Sequence, residues 1–295
     1  MRASIIIPSF NTAELLRKNL PAVIKAAANP KNEIKEVIVV DDASTDNSAD
    51  IIKREFPGIK LIRHKANRGF SAAVNTGVRM AKGELVVLLN SDVIPDADFL
   101  SPALVHFEDT AIFAVSFNER EYFWAGASFE DGFVNHKPGP VSDSAHISFW
   151  ASGGSAVFRR KYWIALGGMD EKLFSPFYRE DVDLCYRAQK RGMKVLWEPK
   201  AIVVHQHAST ISRLPKKYTQ RIKERNELLF IWKNITSPYM FRKHISGLLF
   251  RTLRHPGYLR IVLMALAKIK IVVRARRKEK KEAKISDETI FGRFK

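Results

Sequence analysis

Four short runs of this chain, "SIII" (4–7), "VIVV" (37–40), "KLI" (60–62) and "LVVLL" (85–89), are apolar at consecutive positions, and amphipathic stretches over 13–28, 46–56 and 71–81 separate them. A strand apolar at every position must be covered on both faces, and the helical periodicity between the strands supplies the covers. The pattern predicts an α/β fold with a mostly parallel central sheet and helices on both faces. In such sheets ligands bind beyond the carboxyl ends of the strands, so the residues that follow each run carry the functional expectation.

Those residues form a polar rim: "PSFN" (8–11), "DDASTD" (41–46), "HKANRGF" (64–70) and "NSDV" (90–93). Ser44 or Asp46 alone would cap the next helix, which leaves the doubled acid Asp41 and Asp42 unexplained unless one of them accepts hydrogen bonds from a base or ribose. Gly69 opens a helix that shows Ser71 and Asn75 on one face, a place for a phosphate or simply a loop entering a helix. Asp92 follows the most hydrophobic strand, where a carboxylate suits Mg²⁺ or Mn²⁺, because hard divalent ions share their shell between one or two acids, phosphates and water. The plainer alternative is a helix cap, which Asp96 or Asp98 would serve better.

Residues 118–148 are rich in Gly, Pro, His and aromatics without a clear period, as expected of loops and short antiparallel strands on a substrate side. In "SFWASGGSAVFRR" (148–160), Gly153 and Gly154 either let a ligand approach the backbone or mark a bulge, and Trp150 either stacks on a sugar or fills core. "FSPFYREDVDLCYRAQKRG" (174–192) puts Glu180, Asp181 and Asp183 in the first turn of a helix, Lys190 and Arg191 in the last, and Gly192 at the stop. That layout complements the helix dipole whatever the function. The aromatic approach is what the dipole leaves over: walls that would dry the carboxylates and raise their pKa values. Residues two apart do not face each other on a helix, so Asp181 and Asp183 should have different jobs. "VVHQHAST" offers His205 and His207, either ligands or exposed polar groups on a strand.

The net charge of +18 is uneven, since residues 233–295 carry 17 Lys and Arg against 4 Asp and Glu. A basic excess in one segment points to an anionic surface, membrane lipid before nucleic acid, for which no recognised module is present. Over 258–274, Arg260, Lys268, Lys270 and Arg274 fall on one side at helical spacing and Val, Ile, Leu and Ala on the other, the pattern of an interfacial helix or, more plainly, of a helix packed on the rest of the fold with a solvated charged tail. The single cysteine, Cys185, excludes an intrachain disulfide and fits a reducing compartment. No run approaches the roughly 20 apolar residues of a membrane span, and "MRASIIIPSFN" reads as a strand rather than an export signal.

The ordered series "IIIPSFN", "VVDDASTD", "NRGFSAAVNTG", "LLNSDV", "SGGSAVFRR", "GGMDEKLF", "EDVDLCYRAQKRG" and "VVHQHAST" resembles the inverting family 2 glycosyltransferases, nearest to their rhamnosyltransferase-like branch. The resemblance covers about residues 3–232 and implies a GT-A fold, a Rossmann-like sheet followed here by a basic helical tail. It divides the chain into a catalytic domain at 1–232, with a nucleotide half (1–117) and an acceptor half (118–232), and a tail at 233–295. By resemblance, Pro8, Ser9, Phe10, Asn11, Asp41, Asp42, Asn67, Gly69, Asn75 and Ser91 lie about the nucleotide of a dTDP- or UDP-sugar. Asp92 and His205 would hold Mg²⁺ or Mn²⁺, with His207 a weaker alternative. Asp181 would be the base, and Glu180, Asp183, Gly153, Gly154 and Trp150 would meet the sugar or a saccharide or lipid-linked acceptor. The family's Asp-any-Asp motif reads Asn90-Ser91-Asp92 here, one carboxylate short. "KERNELLFIWKN" (223–234) also resembles a segment of that branch but carries no role from it.

The expected activity is sugar transfer in cell-envelope polysaccharide synthesis, in the cytoplasm at the inner membrane face. Two other functions use the same rim. A nucleotidyltransferase would release pyrophosphate, and a non-catalytic nucleotide- or saccharide-binding protein would bind without turnover.

Overall fold

The computed structural model describes residues 1–120, 123–206 and 214–294. The chain begins β1 (Ala3–Ser9), α1 (Ala13–Ala28), β2 (Ile34–Asp41), α2 (Ser48–Glu55), β3 (Lys60–Arg63), α3 (Phe70–Met80), β4 (Leu85–Leu89), which matches the expected alternation in kind and nearly in limits. It continues through β5 (Val93–Pro95), α4 (Ser101–Leu104), β6 (Ile112–Asn118), the hairpin β7 (Ala125–Glu130) and β8 (Phe133–Pro138), and the short β9 (His146–Ile147). Then come β10 (Ser155–Arg159), α5 (Arg160–Leu166), α6 (Glu180–Lys190) and β11 (Lys194–His205).

The main sheet runs β3-β2-β1-β4-β10-β6-β11-β5, with β9 also paired to β11. β1, β2, β3 and β4 are mutually parallel, β10 is antiparallel to both its neighbours, and β6 and β11 are parallel again. Strand alternation sorts the core into two layers. Ile5, Ile7, Val39 and Val87 pack beneath α1 with Leu16, Leu20 and Val23, while Ile6, Ile38, Val86 and Leu88 face α3, α5 and α6. α3 lies against the sheet because Gly77 has no side chain; a Cβ there would stand 2.4 Å from Ile6 Cγ2. Strand order reverses at β1, which sits between β2 and β4, and the opening for a ligand lies there.

Five more helices follow: α7 (Lys216–Asn234), α8 (Pro238–Arg254), α9 (Leu259–Leu266), α10 (Ile269–Glu282) and α11 (Asp287–Gly292). The single interfacial helix expected over 258–274 is broken. A 3₁₀ turn at Pro256–Tyr258 precedes α9, and residues 267–268 separate α9 from α10. At the break Lys268 Nζ donates to the carbonyls of Lys172 and Leu173, at 2.6 and 2.9 Å. Part of the apolar side is also taken up: Ile261, Ala265 and Val272 join a third cluster with Phe149, Leu173, Phe174, Tyr186, Leu229 and Phe291. α11 docks through Asp287, which accepts from Tyr186 Oη, Lys190 Nζ and the backbone N–H groups of Thr236 and Ser237 at 2.6 to 2.7 Å. Among the described residues no helix is long and apolar enough to cross a membrane.

Candidate active site

Two strand ends that are far apart in sequence meet at the β5–β11 pair, where His205 stands opposite Val93 and Gln206 N donates to Asp92 O at 2.9 Å. His205 Nε2 lies 3.2 Å from Asp92 Oδ1, and Nδ1 lies 3.0 Å from Glu119 Oε2. Burial disfavours a charged imidazole, but the hydrogen bonds to Asp92 and Glu119 outweigh it and raise the ring to about 9. Glu119 also accepts from Ser155 Oγ. The sequence reading missed Glu119 because it missed β6; an acid one residue past a strand would have joined the rim had "IFAVSFN" been read as one. A cleft of about 250 Å³ opens here, lined among others by Ser116, Glu119, Trp150, Ser152 and His205.

Asp92 is buried, and its Oδ2 has no hydrogen-bond partner among the described residues. A buried carboxylate oxygen without a donor beside an imidazole fits a divalent cation better than it fits a structural role. No three His, Cys, Asp or Glu side chains among the described residues could hold an ion unaided, so the fit requires a substrate diphosphate to complete the shell. His207 lies outside the described residues.

Asp181 reaches the same place from the other side. Gly153 N donates to Asp181 Oδ2 at 3.1 Å, and a Cβ at Gly153 would stand 3.3 Å from Asp181 Cβ. The next residue, Gly154, abuts Asn90, where a Cβ would come within 2.3 Å of Asn90 Nδ2. Two glycines therefore bridge Asp181 to the Asn90-Ser91-Asp92 motif, and neither tolerates a side chain without displacing one of them. Burial raises the Asp181 carboxyl above its ordinary value, against the N–H groups of Gly153 and Val182. Glu180 is pushed up to about 8 by burial and then by Asp181, and its Oε2 has no hydrogen-bond partner among the described residues. Trp150 sets its ring edge-on to His136, with centroids 4.7 Å apart, at the mouth of the same cleft.

Asp183 does not join them. It is wholly buried and meets Arg187 Nε at 2.7 Å, Lys233 Nζ at 2.9 Å and Asn234 Nδ2 at 2.9 Å. Burial would raise this carboxyl, but the two cations prevail and hold it low. The expected contact of Asp183 with sugar is thus not realised, because the side chain anchors α6 to α7. The same helix gives "KERNELLFIWKN" a role. Asn226 Nδ2 donates to the carbonyls of Phe174, Phe177 and Tyr178 at 2.8 to 2.9 Å, and Arg225 Nη2 to that of Ser175 at 2.7 Å. These bonds hold the turn into α6, where Tyr178 and Arg179 are both left-handed (φ 73° and 77°), at a cost of about 1–3 kcal/mol each.

The nucleotide rim is knit together internally. Asn11 Oδ1 accepts from Thr45 N at 2.8 Å, and Ser44 Oγ accepts from Asn11 N at 2.9 Å, which ties the ends of β1 and β2. Ser9 is buried and shares a hydrogen bond with Thr12, while Pro8 and Phe10 are partly exposed beside it. Asp41 accepts from Ser44 N at 3.1 Å and pairs with Arg63 at 3.0 Å. Asp42 is likewise occupied, meeting His64 Nδ1 at 2.6 Å, Arg68 N at 2.9 Å and Gly69 N at 2.7 Å. These donors already give the doubled acid a structural role: the carboxylate of Asp42 shapes the loop 64–69, leaving Asn67 exposed and Gly69 (φ 85°) at the start of α3. Asn75 is also turned inward. Its Oδ1 accepts from Trp163 Nε1 and Met169 N, and its Nδ2 donates to Met169 O and Glu171, so it pins the 167–171 loop and has nothing left for a nucleotide. Ser91 stands partly exposed beside Asp92, and its carbonyl accepts from Asn19 at 2.8 Å.

With this geometry in place, comparison with known proteins is decisive. The family profile described as "Glycosyl transferase family 2" matches residues 4–163, and that of "Glycosyl transferase family group 2" matches 85–275. The chain belongs to glycosyl transferase family 2. It is 30% identical over 222 residues to the pre-mycofactocin glycosyltransferase of Mycobacterium tuberculosis, covering 70% of this chain and 43% of that protein. It is 24% identical over 207 residues to the poly-beta-1,6-N-acetyl-D-glucosamine synthase of Staphylococcus aureus, covering 68% and 48%. The chain thus spans less than half the length of these relatives. Among solved structures, GalNAc-T7 with UDP, GalNAc and Mn²⁺ superposes with a TM-score of 0.63 at 18% identity, over 80% of this chain and 48% of that one. The mannosyltransferase PcManGT of Pyrobaculum calidifontis, with GDP-Man and Mn²⁺, superposes at 0.56 and 20% identity, over 95% and 84%. The fold of this family 2 member is the GT-A fold of those glycosyltransferases.

Proposed function

We propose that this protein is an inverting glycosyltransferase that moves a sugar from a nucleoside-diphosphate donor, a dTDP- or UDP-sugar, to a hydroxyl of a saccharide or lipid-linked saccharide of the cell envelope. One observation supports this reading most: Gly153 N–H bonds to the half-buried Asp181 and the adjacent Gly154 abuts Asn90, so the carboxylate proposed as base lies close to the Asn90-Ser91-Asp92 motif proposed for the diphosphate.

In the reaction, the acceptor oxygen bonds to the anomeric carbon as the bond from that carbon to the diphosphate oxygen breaks. The hydroxyl proton passes to an Asp181 carboxylate oxygen, and the bonding pair leaves with the nucleoside diphosphate. Burial makes Asp181 a stronger base than an exposed carboxylate, and the N–H groups of Gly153 and Val182, one on each oxygen, fix its orientation. Glu180 stands ready beside it for the sugar or acceptor, and Trp150 offers a ring to an apolar sugar face. Asp92 and His205 would hold Mg²⁺ or Mn²⁺, which when bound neutralises charge on the departing diphosphate. Asn67, Gly69 and Ser91 are the rim groups open to the nucleotide.

In this proposal residues 1–232 form the catalytic body and 233–295 the segment that meets anionic lipid at the inner face of the membrane. Support comes from the basic excess of that segment and from the exposed Leu259, Leu263, Leu266, Ile269 and Ile271 on α9 and α10. The test is Asp181→Asn, assayed for transfer and for donor binding. The proposal expects donor affinity near wild type and turnover down by about 10²–10⁴-fold; near-normal turnover would remove Asp181 from the mechanism.

A further inference from the structure

A second cleft, larger than the first at about 920 Å³, lies between the turn of the β7–β8 hairpin and α8. Arg242, Lys243, Arg251 and Arg254 line it with a single acid, Asp131. Among the described residues none of these four cations lies within 4 Å of a carboxylate. Two are instead held over aromatic rings: Arg251 Cζ stands 3.4 Å from the Phe133 centroid and Lys243 Nζ 4.9 Å from that of Tyr239. Unpaired cations in a concave site call for an anion with several acceptor oxygens.

The walls are built to stay apart by a fixed amount. A Cβ at Gly247 would stand 2.0 Å from Asp131 O, and one at Gly132 (φ 82°) 2.6 Å from Lys243 O, so both backbones meet where only glycine fits. His244 locks the joint, with Nδ1 2.7 Å from Gly132 O and Nε2 accepting from Trp232 Nε1 at 2.8 Å. Burial lowers this imidazole to about 4, which keeps Nε2 free to accept.

Around Phe250, which lines the cleft, α8 exposes further apolar side chains. Leu249, Phe250 and Leu253 on α8 are 61%, 65% and 72% exposed, one helical turn or less from the cations. A phosphate among the arginines with hydrocarbon against these three residues matches both halves of the surface. We propose that the groove between α8 and the β7–β8 turn binds the phosphate headgroup of an anionic membrane lipid, with Leu249, Phe250 and Leu253 meeting its acyl region. The inference deepens the membrane association proposed above and moves its specific part from the α9–α10 region to α8.

The test compares the full chain with two charge-matched double variants, Arg242→Glu/Arg254→Glu in the groove and Arg277→Glu/Lys280→Glu in α10, each checked for an unchanged melting temperature. Flotation uses vesicles of phosphatidylcholine with or without phosphatidylglycerol, and calorimetry uses monomeric dihexanoyl-phosphatidylglycerol and inorganic phosphate. The groove predicts saturable binding of one short-chain lipid per chain, weaker binding of inorganic phosphate, and a loss of about tenfold or more in the groove variant against a few-fold in the α10 variant, since tenfold corresponds to about 1.4 kcal/mol. Equal losses in the two variants would reduce the effect to the general field of a basic surface and overturn the groove. Inorganic phosphate binding as tightly as the lipid would make it a free-phosphate site and overturn the lipid assignment. Flotation without short-chain lipid binding would refute the groove and leave membrane association standing; short-chain lipid binding without flotation would do the reverse.

Discussion

The acids at the end of β2 and those around the glycine pair look alike in sequence and differ in what surrounds them. Asp41 and Asp42 are met by backbone N–H groups, His64 and Arg63, the last ion-pairing the one oxygen of these two acids, Asp41 Oδ2, that accepts no hydrogen bond, whereas Asp92 and Glu180 each keep a buried oxygen without a hydrogen-bond partner among the described residues. The contrast recurs within one helix turn, where Asp183 is neutralised by Arg187 and Lys233 while Asp181 meets only backbone N–H groups. A buried carboxylate with a full set of donors is scaffolding, because its desolvation is already offset by the protein. One with donors missing is stable only if a ligand arrives, and such acids mark the site.

The sharpest way to break this contrast is to neutralise the two aspartates of α6 separately. Asp181→Asn should cost turnover by about 10²–10⁴-fold with little change in urea unfolding. Asp183→Asn should instead destabilise by about 3 kcal/mol by removing the buried counter-charge of Arg187 and one of the two acids that Lys233 meets, with turnover per folded molecule within a few-fold of wild type. The opposite pairing of effects would reverse the roles. Asn226→Ala removes three hydrogen bonds from the turn at 174–178 and should cost about 1–3 kcal/mol, together with a fall in kcat at unchanged donor KM; a change in donor KM alone would place Asn226 at the nucleotide instead. A smaller effect concerns pH. Glu180 holds its proton to about 8 in the folded protein against 4.5 ordinarily, so between those values the folded state binds the extra proton and stability falls as pH rises. Glu180→Gln should flatten that slope, and a slope unchanged by the substitution would show Glu180 to titrate normally.

The layered sheet was legible because strands covered on both faces carry their burial in consecutive apolar residues, as "LVVLL" does over all of β4. The positions of Asp92 and His205 followed from strand ends. Their contact did not, since it depends on β5 pairing with β11 across more than a hundred residues of chain. The partners of Asp42, Asn75 and Asp183 were not legible for one reason: sequence shows a polar residue near the rim but not the groups brought from elsewhere, such as Met169 and Trp163 for Asn75. The helical tail was legible, but its break was not. Its apolar period is continuous through 258–274, but the carbonyls of Lys172 and Leu173 draw Lys268 inward and the helix breaks there.

The most direct test of the division between scaffolding and site is a carbon-13 NMR titration of the side-chain carboxylates, assigned through Asp181→Asn and Asp183→Asn, in the protein without substrate. The prediction is that Asp181 titrates above, and Asp183 below, the ordinary aspartate value of 3.8. Two aspartates titrating together, or Asp183 above Asp181, would contradict the assignment of base and anchor.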